Sequence, residues 1–101
     1  VHAVAINRLG MAVGTGRLLP PEGDTGRIGR MAVHEALRGS GVGRAILRRL
    51  MEAGRERGDR VITLHAQRSA QAFYAAEGYV LEGEPFLEAG IPHVTMRRNL
   101  Q

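Results

Sequence analysis

A mixed α/β fold, with a mostly antiparallel sheet, a central parallel β-α-β crossover and two helices, is what this 101-residue sequence predicts. Three observations predict it. Apolar runs at 27–33 and 61–66 flank a long amphipathic segment, a shorter helical pattern follows, and extended runs joined by turn residues stand at both ends of the chain. A chain of this length has room for one hydrophobic core, so a single domain over 1–101 is expected.

Each element has its own signal. Val1 to Ile6 is a short apolar run, Asn7-Arg8-Leu9-Gly10 a turn, and Met11 to Leu19 a second extended run, together a hairpin. Gly14 and Gly16 inside that second strand predict a bulge or a close backbone approach, and Pro20 to Asp24 a loop. Arg27 to Val33 is the third strand. Val42, Ile46, Leu47, Leu50 and Met51 recur at helical spacing, with Arg44, Arg48, Glu52 and Arg55 opposite, and Gly58-Asp59 ends that helix. Val61 to Ala66 is the strand reached through it, and such a parallel crossover is expected to be right-handed. Ser69 to Glu77 is a second helix with Ala70, Phe73 and Tyr74 on one side, closed by Gly78. Tyr79 to Leu87 and Ile91 to Leu100 are the last strands, around Glu88-Ala89-Gly90.

Composition excludes several function classes. With 44% hydrophobic and 24% charged residues the chain belongs with ordinary globular domains, not disordered ones. No apolar run reaches the roughly 20 residues that span a bilayer, and the first nineteen residues lack the pattern of a signal peptide, so a cytoplasmic, non-membrane protein is expected. The sequence has no cysteine, hence no thiol nucleophile and no disulfide framework. All 14 basic side chains are arginine, which a coding bias explains as simply as a phosphate site does. They are scattered, with 4% aromatic residues among them, so nucleic acid is not an expected partner.

The turn Arg38-Gly39-Ser40-Gly41-Val42-Gly43 carries the most chemistry. It joins a strand to a helix whose first N–H groups lack internal partners and lie at the positive end of the helix dipole, a place that favours an anion. Glycines at alternate positions let phosphate oxygens approach the backbone, and Arg38 adds a guanidinium, so a diphosphate suits the geometry. The dinucleotide fingerprint fails because Arg44 replaces its third glycine, and the phosphate loop of nucleotide-binding proteins fails for want of a lysine. What remains is R-x-x-G-x-G. Standing after Met31-Ala32-Val33 and before a helix, this segment resembles the pyrophosphate-binding motif of the GNAT N-acetyltransferase superfamily. Gln67 to Tyr79 resembles the second family signature, N-x-x-A-x-x-F-Y-x-x-x-G-F, with Gln67 in place of asparagine. Gln67, Gly90-Ile91-Pro92-His93 and Met96 together resemble the ElaA-like branch.

The resemblance implies a GNAT-like fold and transfer of an acetyl group from acetyl-CoA directly to an amine of a small molecule or protein. It assigns the pantetheine arm and thioester to the backbone of Met31, Ala32 and Val33. The pyrophosphate of coenzyme A falls to Arg38, Gly39, Ser40, Gly41, Val42, Gly43 and Arg44, and the amide arm to Gln67, a residue equally suited to capping the helix or to standing in solvent. Tyr74 stands at the place of the family's tyrosine acid, protonating the departing thiolate; the alternative is that Phe73 and Tyr74 fill a small core. A base for the amine is left open among His65, Glu84, Glu88, His93 and Glu35. No histidines have metal-ligand spacing, so no metal is expected. Family members begin with one more strand and two helices, so the chain reads as N-terminally short, with a homodimer partner or another subunit expected over the exposed sheet edge. The alternative function is a non-catalytic CoA-binding or interaction module.

Overall fold

The computed structural model describes residues 1–33 and 39–100. Six strands form one sheet in the order β1-β2-β3-β4-β6-β5: β1 (His2–Ile6), β2 (Ala12–Glu22), β3 (Thr25–Val33), β4 (Val61–Gln67), β5 (Val80–Glu88) and β6 (Ile91–Asn99). Helix α1 (Val42–Glu56) lies in the connection from β3 to β4, and α2 (Gln71–Ala76) between β4 and β5. All strand pairs are antiparallel except β3 with β4. The predicted mixed fold is therefore the fold observed, with most ends shifted by a residue or two. Among the described residues, no helix is long and apolar enough to cross a membrane.

Local chemistry accounts for the turns. In the first hairpin the Asn7 side-chain oxygen accepts from the N–H groups of Leu9 and Met11, at 2.9 and 3.0 Å, replacing strand pairing around the corner. The last hairpin turns on Ala89 and Gly90, both with positive φ (51° and 74°), the two-residue geometry whose twist matches that of the flanking strands. Both helices end alike. After α1 the Asp59 N–H reaches the Gly54 carbonyl and Gly58 that of Arg55; after α2 the Tyr79 N–H reaches Tyr74 and Gly78 that of Ala75.

Two expectations are corrected. Pro20, Pro21 and Glu22 are strand, not loop, and only Gly23 and Asp24 make the turn. Prolines are tolerated there because β1 pairs with β2 only as far as Arg17, so no ladder on that side needs their missing N–H, and the register with β3 is irregular between Leu19 and Glu22. The second helix is also shorter than Ser69 to Glu77: Arg68–Ala70 is a 3-10 turn and the α-helix proper is Gln71–Ala76.

The core lies between α1 and the sheet. Leu47, Leu50 and Ile62 are completely buried, each contributing about 1.5–3 kcal/mol by leaving water. Close approach, the second option for Gly14 and Gly16, explains them. A methyl group on Gly16 would stand 2.6 Å from Met31 Sδ and 2.9 Å from Leu50 Cδ1, and one on Gly14 2.8 Å from Ile46 Cδ1. The register slip between Thr15 and Arg17 places a bulge in the same stretch. Helix α2 lies beside α1, since a methyl on Gly43 would be 3.5 Å from the Phe73 ring and Arg48 Nε donates to Glu77 at 2.8 Å.

Candidate active site

Strands β3 and β4 pair only from Thr25↔Val61 to Ile28↔Leu64. Beyond that point each follows its other neighbour: β3 stays with β2 as far as Gly14↔Val33, and β4 stays with β6 as far as Gln67↔His93. Between Thr15↔Ala32 and Arg17↔Gly29, β3 carries one residue more than β2, a bulge that bends it where the strands part. The result is a cleft of about 780 Å³ with Gly29, Met31, Ala32 and Val33 on one wall and Leu64 to Gln67 on the other. Parted parallel strands leave one row of backbone N–H and C=O groups on each wall without a strand partner, a template for an extended ligand arm.

The glycine turn closes one end of this cleft. Gly39, Gly41, Gly43 and Arg44 line it; Ser40 and Val42 belong to the same turn and first helical residue but not to the lining. Gly39 and Gly41 have φ of 84° and 92°, and among the described residues a methyl group at either would meet nothing within 4 Å. Their glycine is therefore required by backbone conformation, and the space before them is open. Helix α1 starts at Gly41 with no side-chain cap hydrogen bond and no acidic residue in its first turn. Its positive end thus faces the opening without a compensating carboxylate of its own, which suits an anionic diphosphate. Arg38 lies outside the described residues.

Tyr74 reaches the cleft from the helix side of the sheet. It is 8% exposed and sits edge-on to Phe73 and Tyr79, with ring centroids 5.0 and 5.9 Å away. Burial raises its pKa, so the hydroxyl keeps its proton through neutral pH and is a donor. Tyr79, more strongly raised by the same cause, does not line the cleft. Phe73 is 36% exposed and Tyr74 belongs to the buried core, and both rings also line the cleft. Gln67 is exposed in the cleft wall and makes no capping hydrogen bond, which removes the capping alternative.

Strand register gathers the remaining polar side chains on the opposite face. Residues paired across a sheet share a face, and so do residues two apart on one strand. Arg27↔Thr63, His65↔Thr95, Gln67↔His93, Phe86↔His93 and Glu88↔Ile91 therefore put Arg27, His65, His93, Phe86 and Glu88 together, away from Ile62, Leu64 and Ala66 under the helices. Three of the five candidate bases meet there. His65 Nδ1 is 3.2 Å from Glu88 Oε1, and His93 Nε2 is 3.3 Å from Glu88 Oε2. Arg27 Nη2 is 2.9 Å from His65 Nδ1, a neighbour that sequence reading missed and that the parallel register would have revealed. Glu84 is exposed and outside the cleft, and Glu35 lies outside the described residues. Among the described residues, no three such side chains are arranged to hold a metal ion.

A cleft between parted parallel strands, beside a glycine turn, can be compared with known proteins. Residues 2–100 match the family model described as an acetyltransferase (GNAT) domain. The chain belongs to the GNAT acetyltransferase family. Among GNAT relatives, YjcF of Bacillus subtilis, described as an uncharacterized N-acetyltransferase, is 39% identical over 88 residues, 86% of this chain and 62% of YjcF. The crystal structure of Escherichia coli ElaA superimposes with a TM-score of 0.84 at 32% identity, covering 96% of this chain and 66% of ElaA. An aminoglycoside 6'-N-acetyltransferase complexed with coenzyme A shares the fold, with a TM-score of 0.86 at 16% identity over 99% of this chain and 72% of that one. The chain spans 48% to 67% of the length of curated relatives such as ElaA of Escherichia coli and a fission-yeast protein.

Proposed function

We propose that this chain binds acetyl-CoA in the cleft between β3 and β4 and transfers the acetyl group directly to an amine nitrogen of a small molecule or protein. The parting of β3 from β4 beside the glycine turn that starts α1, with Tyr74 in the gap, carries this reading. The wall from Met31 to Val33 would pair with the extended arm and present an N–H group where negative charge develops on the thioester oxygen. The turn from Gly39 to Arg44, with Arg38, would hold the diphosphate, and Gln67 the amide arm. Anchoring the ligand at both ends fixes the reacting carbon and lowers the entropic part of the barrier. Tyr74, kept protonated by burial, would give its proton to the leaving sulfur.

Calorimetry with acetyl-CoA and thiol release with a panel of amines test this together. Gly41→Glu is expected to abolish acetyl-CoA binding with the fold retained, and unchanged affinity would overturn the site. Tyr74→Phe is expected to keep the affinity and lower turnover about 10²- to 10⁴-fold, the usual worth of a positioned acid. Tight binding with no turnover of any amine would favour the non-catalytic CoA-binding module instead.

A further inference from the structure

Resting on the acetyl-transfer reading, we propose that Glu88 is the catalytic base that takes the proton of the acceptor amine, with His93 as the positioning residue that shares it. The hydrogen-bond inventory leads to this assignment. His93 Nδ1 lies 2.7 Å from the Ile91 carbonyl, which can only accept, so Nδ1 carries a hydrogen. In the neutral ring Nε2 is then a lone pair, and it faces Glu88 Oε2 at 3.3 Å, an atom that is acceptor-only when ionised. Two acceptors at that separation are one proton short of a hydrogen bond. Uptake of a proton completes it.

The surroundings keep the other carboxylate oxygen available. Arg27 has only donors to offer, so its 2.9 Å contact makes His65 Nδ1 an acceptor, and that nitrogen cannot donate to Glu88 Oε1 at the same time. Among the described residues, Arg27 on β3, His65 on β4 and His93 on β6 are the charged and titratable groups gathered on the face of Glu88. Phe86 stands edge-on to His65 at 5.0 Å and stacks on His93 at 6.0 Å, holding both rings. The Glu88 side chain is 50% exposed and that of His93 is 9% exposed, so the carboxylate can meet an acceptor while the imidazole stays behind it. Both line the same cleft as Tyr74, but from the opposite face of the sheet. Proton removal and proton delivery are thereby separated across the gap.

The step balances without a further reactant. The acceptor ammonium gives one proton to Glu88, where His93 Nε2 shares it. The freed nitrogen lone pair forms the N–C bond to the acetyl carbon, and the C–S bond breaks with its pair on sulfur. Sulfur takes the Tyr74 proton, the Tyr74 oxygen recovers the second proton of the nitrogen, and the Glu88 proton passes to water. The sum is an ammonium and acetyl-CoA converted to an amide, CoA thiol and one proton.

The test compares Glu88→Gln, His93→Gln and Glu84→Gln by turnover over a range of pH and by acetyl-CoA calorimetry, with thermal unfolding measured for each. Glu88→Gln is expected to lower kcat about 10²- to 10⁴-fold and to erase the acidic limb of the pH–kcat profile. His93→Gln should displace that limb with a smaller loss, Glu84→Gln should match wild type, and all should bind acetyl-CoA unchanged. Should the buried His93→Gln unfold, half-exposed Glu88→Gln decides alone. An active wild type with an indifferent Glu88→Gln, or a Glu88→Gln that loses acetyl-CoA binding in proportion to turnover, overturns the assignment. A wild type that binds acetyl-CoA but acetylates no amine overturns the transferase reading, and this one with it.

Discussion

The two ends of the β3–β4 pair are built from the same strands and come out opposite. At the closed end, Ile28, Ile62 and Leu64 are at most 3% exposed. Asp59 is buried there at 6% exposure, its carboxylate held by Arg57 Nε at 2.9 and 3.1 Å, while Arg57 Nη2 donates to the Leu19 carbonyl at 2.7 Å. The Asp59 carboxylate brought inside is thus partnered, and the end is sealed by apolar packing. At the open end, one extra residue in β3 bends the strand away, and α1 begins at a glycine that offers no side-chain cap. Stability is concentrated where the strands meet. The proposed binding falls to the place where they part.

Substitutions can separate these two ends. Leu64→Ala, at the last paired position, should cost about 2–5 kcal/mol in urea unfolding, whereas the adjacent His65→Ala should stay within about 1 kcal/mol. Equal losses would mean that both ends are packed alike. Glycines give a finer contrast. A methyl on Gly26 would run into Asp59 Oδ2 and stand 2.9 Å from Ile62 Cδ1, so Gly26→Ala should cost about 1–3 kcal/mol and Gly26→Asn more. At Gly41 the obstacle is its φ of 92° alone, so Gly41→Ala should cost about 1–2 kcal/mol and Gly41→Asn less, because asparagine tolerates that conformation. The smallest effect belongs to Glu77, which links α2 to α1 beside the open end. The hydrogen bond from Arg48 holds its carboxyl below the usual range. Its contribution is therefore present above roughly pH 4.3, the ordinary glutamate value, and is lost as pH falls through the lowered one. Glu77→Gln should remove that part of the acid sensitivity of the urea midpoint between neutral pH and pH 3, leaving the rest.

How much of this the sequence declared depends on the range of each interaction. Helix α1 was legible because Ile46, Leu47, Leu50 and Met51 report their own periodicity, and the last hairpin because Ala89-Gly90 is a local turn. The strand at Pro20 and Pro21 was not legible, since a proline is admissible only where a neighbouring strand has already ended, and nothing local says where β1 stops. Glu88 and His93 could be named as titratable residues but not as a pair. Their meeting follows from cross-strand register, which would have emerged from reading Ala89-Gly90 as a two-residue turn and counting outward. Arg27 beside His65 demands the parallel register as well, a contact 38 residues apart in the chain.

The hairpin of β5 and β6 has one stiff end and one slack end. Ala89 and Gly90 set Glu88 against Ile91 and Phe86 against His93, while between Glu82 and Phe86 the strand takes four steps where β6 takes two. The stiff end works as the zero mark of a ruler, from which the carboxylate and the imidazole are measured. The slack at Gly83 to Pro85 absorbs whatever length arrives from α2. Residues gained or lost in that slack leave the zero mark where it is, whereas one residue added between Glu88 and Ile91 exchanges the faces of the sheet for everything counted from it.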